Sequence, residues 1–166
     1  TNAAKEARDN ITAKGKTPIL VGQLEAAEDA AKSIRSRLAD FGMTLDGANA
    51  EAVVIWDDPV AGLCRSMVDS ISNPTVVDLK TTSVALSLET AARQCSQLAY
   101  EFQFAFYERG LQCLDMEMNL VDDLDYIILF VEINPPYAVL PVRLPNAAKA
   151  KGRADVARAC EIWASC

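Results

Sequence analysis

Met67-Val68-Asp69-Ser70-Ile71-Ser72-Asn73-Pro74-Thr75-Val76-Val77-Asp78-Leu79-Lys80-Thr81-Thr82 decides how this chain is read. Two apolar runs flank a Ser-Asn-Pro turn, and both read as strands. Successive strand side chains point to opposite faces, so Asp78 and Lys80 share one face while Leu79 turns away, on this reading into the core. If the turn folds the first run against the second, Asp69 comes close to Asp78, and two carboxylates share a pocket with a lysine. Like charges that close repel, and a divalent cation is the usual remedy. Carboxylates that hold Mg²⁺ or Mn²⁺ beside an ammonium are what phosphodiester hydrolysis requires. The metal polarises the phosphoryl oxygen and acidifies a water, and the lysine orients that water or offsets developing charge. Asp-x-Lys alone arises by chance, so its surroundings carry the weight.

Working outward, three strands are expected in sequence: Ala50 to Asp57, Leu63 to Ile71 and Thr75 to Thr81, with Asp57-Asp58-Pro59-Val60-Ala61-Gly62 as a hairpin connection. Glu51, at the start of the first, either stands near the carboxylate pair or is a surface acid at a strand end. A helix over about Gly22 to Phe41 precedes them, with Leu24, Ala27, Ala31, Ile34, Leu38 and Phe41 as its apolar stripe and Gly42 as its stop. The longest helix is expected from about Ser87 to Gly110, burying Leu88, Ala91, Cys95, Leu98, Phe102 and Phe106. Tyr100, Gln103 and Tyr107 fall on a neighbouring face, from which Gln103 and Tyr107 could hydrogen-bond a phosphate or a metal-bound water. Asp125 to Ile133 reads as a buried strand and Tyr137 to Leu144 as a further one, with Pro141 marking an edge or bulge. The last helix, about Asn146 to Ala164, offers Ala147, Ala150, Ala154, Ala157, Cys160, Ile162 and Trp163 as its apolar surface. The class is α/β or α+β: one domain over residues 1–166, with a mixed central sheet flanked by helices.

A chain of 166 residues with 51% hydrophobic content is long enough for one proper core. Its net charge of −7 is unusual for a protein that grips nucleic acid through its whole surface, so any DNA contact would have to be local. Arg65, Lys80, Arg93, Arg109, Lys149, Lys151 and Arg153 are the candidate basic groups. Histidine is absent, which removes imidazole bases and ligands. Five scattered cysteines without a C-x-x-C argue for reduced thiols in a cytoplasmic protein, and no run is apolar enough to span a membrane.

The order Glu51 … Asp69 … Asp78-Leu79-Lys80-Thr81-Thr82 … Gln103-x-x-x-Tyr107 resembles the PD-(D/E)xK nuclease superfamily with its αβββαβ, restriction-endonuclease-like core, and in particular its RecE-like exonuclease VIII branch. Gly15-Lys16-Thr17-Pro18, Ile55-Trp56, Gly62-Leu63-Cys64-Arg65 and Val131-Glu132-Ile133-Asn134-Pro135-Pro136-Tyr137 extend the likeness over nearly the whole chain. The resemblance implies a Mg²⁺-dependent (or Mn²⁺-dependent) exodeoxyribonuclease that degrades one strand of linear duplex DNA from its 5′ end, in phage-type recombination, with a single-strand annealing protein as partner and a ring of identical subunits. It implies Asp69, Asp78 and the Leu79 carbonyl as metal ligands, Lys80 as the group that positions water, and Gln103 and Tyr107 as the residues of the following helix. The family's histidine ligand has no counterpart here. It lies in a segment before Thr1, or the site works with one ligand fewer, or the chain is inactive as it stands. A catalytically inactive DNA-binding or assembly module, and another endonuclease or repair nuclease of the superfamily, are the alternatives. The iron–sulfur branch does not fit the scattered cysteines.

Overall fold

A computed structural model describes residues 2–72, 75–114 and 124–166. Its elements are α1 (Asn2–Ala13), α2 (Val21–Asp40), β1 (Asn49–Asp58), β2 (Gly62–Ser72), β3 (Thr75–Thr82), α3 (Leu88–Gln97), α4 (Tyr100–Cys113), β4 (Asp125–Glu132), β5 (Val139–Arg143) and α5 (Asn146–Ala164). The strands form one mixed sheet in the order β1-β2-β3-β4-β5, antiparallel throughout except for the parallel β3–β4 pair. That is the expected mixed α/β class: three strands in a meander, then helices that return the chain to β4 alongside β3. Asn73 and Pro74, the centre of the expected turn, lie outside the described residues, but Ser72 pairs with Thr75 on either side of them.

Strand alternation sorts the core into two layers. Val54, Trp56, Val68, Val76, Tyr126, Ile128 and Phe130 meet α4 and α5 on one face. Val77, Ile127, Leu129 and Val131 meet Leu38 of α2 on the other. β4 is buried along almost its whole length, as its continuous apolar run requires, and Pro141 sits on the edge strand β5. Among the described residues no helix is long and apolar enough to cross a membrane.

Three helix expectations need correction. The segment from Ser87 to Gly110 is two helices, broken where Ala99 adopts φ 50 and ψ 48. Ala91 and Cys95 must be buried, and so must Tyr100, Phe104, Tyr107 and Leu111. At about 100° per residue these two sets stand on opposite sides of one continuous helix, so the chain turns at Ala99 to bury both. Leu88 and Leu98 are consequently exposed, Phe102 and Phe106 only half-buried, and Tyr100 and Tyr107 buried rather than on a flank. In α2 the packed residues are Ala30, Ile34 and Leu38, while Leu24, Ala27 and Phe41 face solvent because only the second half of the helix covers the sheet. Gly42, at φ 66, does end it. In α5 the buried row is Gly152, Val156 and Cys160, and Ala147, Ala150, Ala154, Ala157, Ile162 and Trp163 are exposed. Gly152 sets this rotation: a Cβ there would lie 2.0 Å from the Glu101 carbonyl oxygen, so α5 can touch α4 closely only at that residue.

Candidate active site

The site begins where β2 and β3 part. Among the described residues their ladder holds only Ser70–Val77, Ile71–Val76 and Ser72–Thr75. Val68 and Ile71, three residues apart, both join the same core cluster, so the in–out alternation of β2 breaks at Asp69–Ser70 although its register with β1 runs on unchanged. Opposite the break, between the pairs Ala50–Ser70 and Ala52–Val68, Glu51 adopts a left-handed φ of 51. Beyond the fork the Leu79 N–H has no strand partner on β2, and Asp69 Oδ2 accepts it instead at 2.8 Å. Asp69 is thereby fixed beside the Asp78–Leu79 peptide, near enough for its charge to act on the Asp78 carboxyl.

Asp78 and Lys80 share a face as strand geometry demands. Asp78 is fully buried, and Lys80 Nζ lies 2.6 Å from its Oδ2. Gln103, one turn into α4, joins them: its Oε1 accepts from Lys80 Nζ at 3.0 Å and its Nε2 donates to Asp78 Oδ1 at 3.0 Å and to Tyr107 OH at 2.7 Å. Tyr107 OH then donates to the Met67 carbonyl at 2.8 Å. Flipping the amide would set NH₂ against an ammonium and oxygen against a carboxylate, so charge fixes its orientation. Gln103 and Tyr107 therefore tie α4 to both arms of the fork through hydrogen bonds to protein groups. Tyr100 contributes what the sequence reading missed, its ring face 4.8 Å below the Lys80 ammonium.

Burial pushes the Asp78 carboxyl above its ordinary range, with the adjacent Lys80 working against that shift and Asp69 reinforcing it. The Tyr107 hydroxyl is also raised, by burial first and then by the negative charges of Asp78, Asp69 and Glu51, offset in part by its bond to Gln103. Glu51 and Asp69 line an open cleft of about 330 Å³ floored by Val77, Leu79 and Leu129. Leu79 is 42% exposed on that side, so it borders the cleft instead of entering the core as its position suggested.

A hard divalent cation fits this donor set, since both carboxylates and any peptide carbonyl are oxygen ligands, and Asp78 Oδ2 receives no well-directed hydrogen bond. Mg²⁺ keeps several waters and needs only one or two carboxylates. Among the described residues no three His, Cys, Asp or Glu side chains gather into a metal cage, so Glu51 does not complete one with Asp69 and Asp78. Four of the other basic candidates are occupied elsewhere: Arg93 with Glu89, Arg109 with Asp58, Lys151 with Glu101 and Asp155, and Arg153 with Glu108. All five cysteines are free thiols.

The architecture has a solved counterpart. A structure described as a putative exonuclease from Eubacterium rectale superposes with a TM-score of 0.54 at 13% identity, over 81% of this chain and 50% of that one. This chain thus spans about half the length of that protein, and at this identity the likeness is one of fold alone. SSO0001 superposes with a TM-score of 0.38 at 15% identity, over 84% of this chain and 58% of the other, too loosely to argue from. No family model matches the chain, and no curated protein matches it.

Proposed function

We propose that the chain is a metal-dependent deoxyribonuclease acting on the ends of linear duplex DNA, with Asp69, Asp78 and the Leu79 carbonyl as ligands of Mg²⁺ or Mn²⁺. The observation that carries this reading is the fork where β2 and β3 part: Asp69 is tied there to the Leu79 N–H, and on the next residue along β3 Lys80 is held against Asp78 by Gln103. A bound cation would supply Lewis-acid polarisation of the scissile phosphate and a more acidic water. Lys80, kept in place by Asp78, Gln103 and the Tyr100 ring, would orient the attacking water or stabilise charge on the phosphorane. Gln103 and Tyr107 would hold the two arms of the fork at fixed separation. Attack from the 5′ end, a subunit ring and a single-strand annealing partner belong to the same proposal and rest on the resemblance in sequence.

Linear duplex DNA should disappear in Mg²⁺ or Mn²⁺ and persist in chelator, while covalently closed circles remain. Asp78→Ala and Lys80→Ala should each lower the rate by at least about 100-fold with circular dichroism unchanged. Cleavage surviving both substitutions removes the proposal, and cutting of closed circles redirects it to an endonuclease. A second reading, an inactive DNA-binding or assembly module, is favoured by the lack of a third carboxylate in the group among the described residues. DNA retention without metal binding at millimolar Mg²⁺ would establish it.

A further inference from the structure

Tyr126 is the one hydroxyl in the apolar run of β4 from Asp125 to Glu132. It is 1% exposed, its ring wedged against Phe104 at 4.9 Å and edge-on to Tyr107 at 6.5 Å between centroids. The β3–β4 register pairs Val76 with Tyr126 and Asp78 with Ile128, which makes Tyr126 the diagonal neighbour of Asp78 on the same face. Tyr126 OH and Asp78 Oδ2 are both buried and neither makes a well-directed hydrogen bond among the described residues, one a donor and the other an acceptor, yet the hydroxyl stands close enough to draw the Asp78 carboxyl downward. A phenylalanine would fill the same space and leave no buried hydroxyl unsatisfied, so packing alone gives the oxygen no purpose.

Asp78 Oδ2 is the oxygen that Lys80 covers. If Lys80 is to act on a water or a phosphate, it must leave that oxygen, and the carboxylate must keep its orientation while it does. We propose that Tyr126 is a positioning residue: its hydroxyl donates to Asp78 Oδ2 when the Lys80 ammonium turns away, holding the carboxylate for the cation. This inference rests on the nuclease reading above. Tyr126 touches neither substrate nor metal and acts through Asp78.

The test is Tyr126→Phe in the full chain, with Mn²⁺ alone as probe, read by the loss of its free electron paramagnetic signal, beside thermal melting of the metal-free protein. Mn²⁺ affinity should fall about tenfold while Tm stays the same or rises. In a Lys80→Met background, where Oδ2 has only Tyr126 to turn to, the penalty of Tyr126→Phe should be larger still. Unchanged Mn²⁺ affinity overturns the inference. So does a fall in Tm that accompanies the fall in affinity, because the hydroxyl would then be structural, and so do equal penalties in the two backgrounds. If the wild-type chain binds no Mn²⁺, the nuclease reading falls together with this one. If it binds Mn²⁺ and cuts DNA while Tyr126→Phe binds as tightly, only the role of Tyr126 is lost.

Discussion

A buried carboxylate is held in two different ways in this molecule. Asp58 lies at the end of β1 with no exposed side-chain surface, and Arg109 of α4 grips it through Nε and, at 2.9 Å, through Nη2. The N–H groups of Val60 and Ala61 add 3.0 Å bonds, and Trp56 Nε1 one of 3.4 Å. The Arg109 guanidinium holds the Asp58 carboxyl far below the usual carboxylate range, against the opposing effect of burial. Asp78 has the reverse balance, burial outweighing its lysine. Asp58 is thus a structural clasp, whereas burial works against the charge on Asp78. For Asp58 the folded pKa is depressed, so its contribution is fully present above the unfolded value near pH ~4 and is lost as pH falls towards the folded one. Asp58→Asn should cost about 3 kcal/mol at neutral pH. Urea titrations across pH should show that gap narrowing below the ordinary carboxylate range, and a gap independent of pH would deny the ion pair its role.

Between elements, two contacts decide how α4 sits over the sheet. Ala99 holds a left-handed conformation that costs an L-residue about 1–2 kcal/mol, and glycine gives back part of the relief through a more disordered unfolded chain. Ala99→Gly should therefore stabilise the fold by roughly 0.5–1 kcal/mol, measured as a shift in urea midpoint; destabilisation would mean that the break between α3 and α4 is not strained. Gly152 answers from the other side, where α5 crosses Glu101 with no room for a Cβ. Gly152→Ala should push the helices apart and cost about 3 kcal/mol. The same unfolding curves check it, and a neutral result would show that the crossing yields easily. Ion pairs Glu101–Lys151 and Glu108–Arg153 span the same interface, so the strain would reach the helix that carries Gln103.

For the molecule as a whole, charge is the constraint on any contact with DNA. At a net charge of −7, and with most of the basic candidates engaged in ion pairs, Arg65 and Lys149 are the ones among them outside the direct ion pairs of the described residues. Two phosphate contacts would give a slope of only about −2 in log affinity against log salt. Duplex-end binding, followed by fluorescence anisotropy, should accordingly be strong in Ca²⁺, lost in chelator and shallow in its salt dependence. A steep slope, or binding that ignores chelation, would place the contact on a different and more basic surface.

Much of this was legible in residue order. The β-branched runs and the Ser-Asn-Pro turn defined three meandering strands, and the period of two put Asp78 and Lys80 on one face, because strand alternation is local geometry. Gln103 and Tyr107 were visible by their helical spacing and by resemblance. The helix break at Ala99 was not, since alanine carries no break signal and the turn exists only because two buried sets on opposite helix faces must both reach one sheet. Nor was the rotation of α5, which Gly152 sets through contact with a residue 51 positions earlier in the chain. The contact of Asp69 with the Leu79 N–H depends on where β2 parts from β3, and the place of Tyr126 beside Asp78 on the register of β3 with β4. Side-chain chemistry alone named the acids and the amine; only the packing of separate strands and helices determined which of them meet.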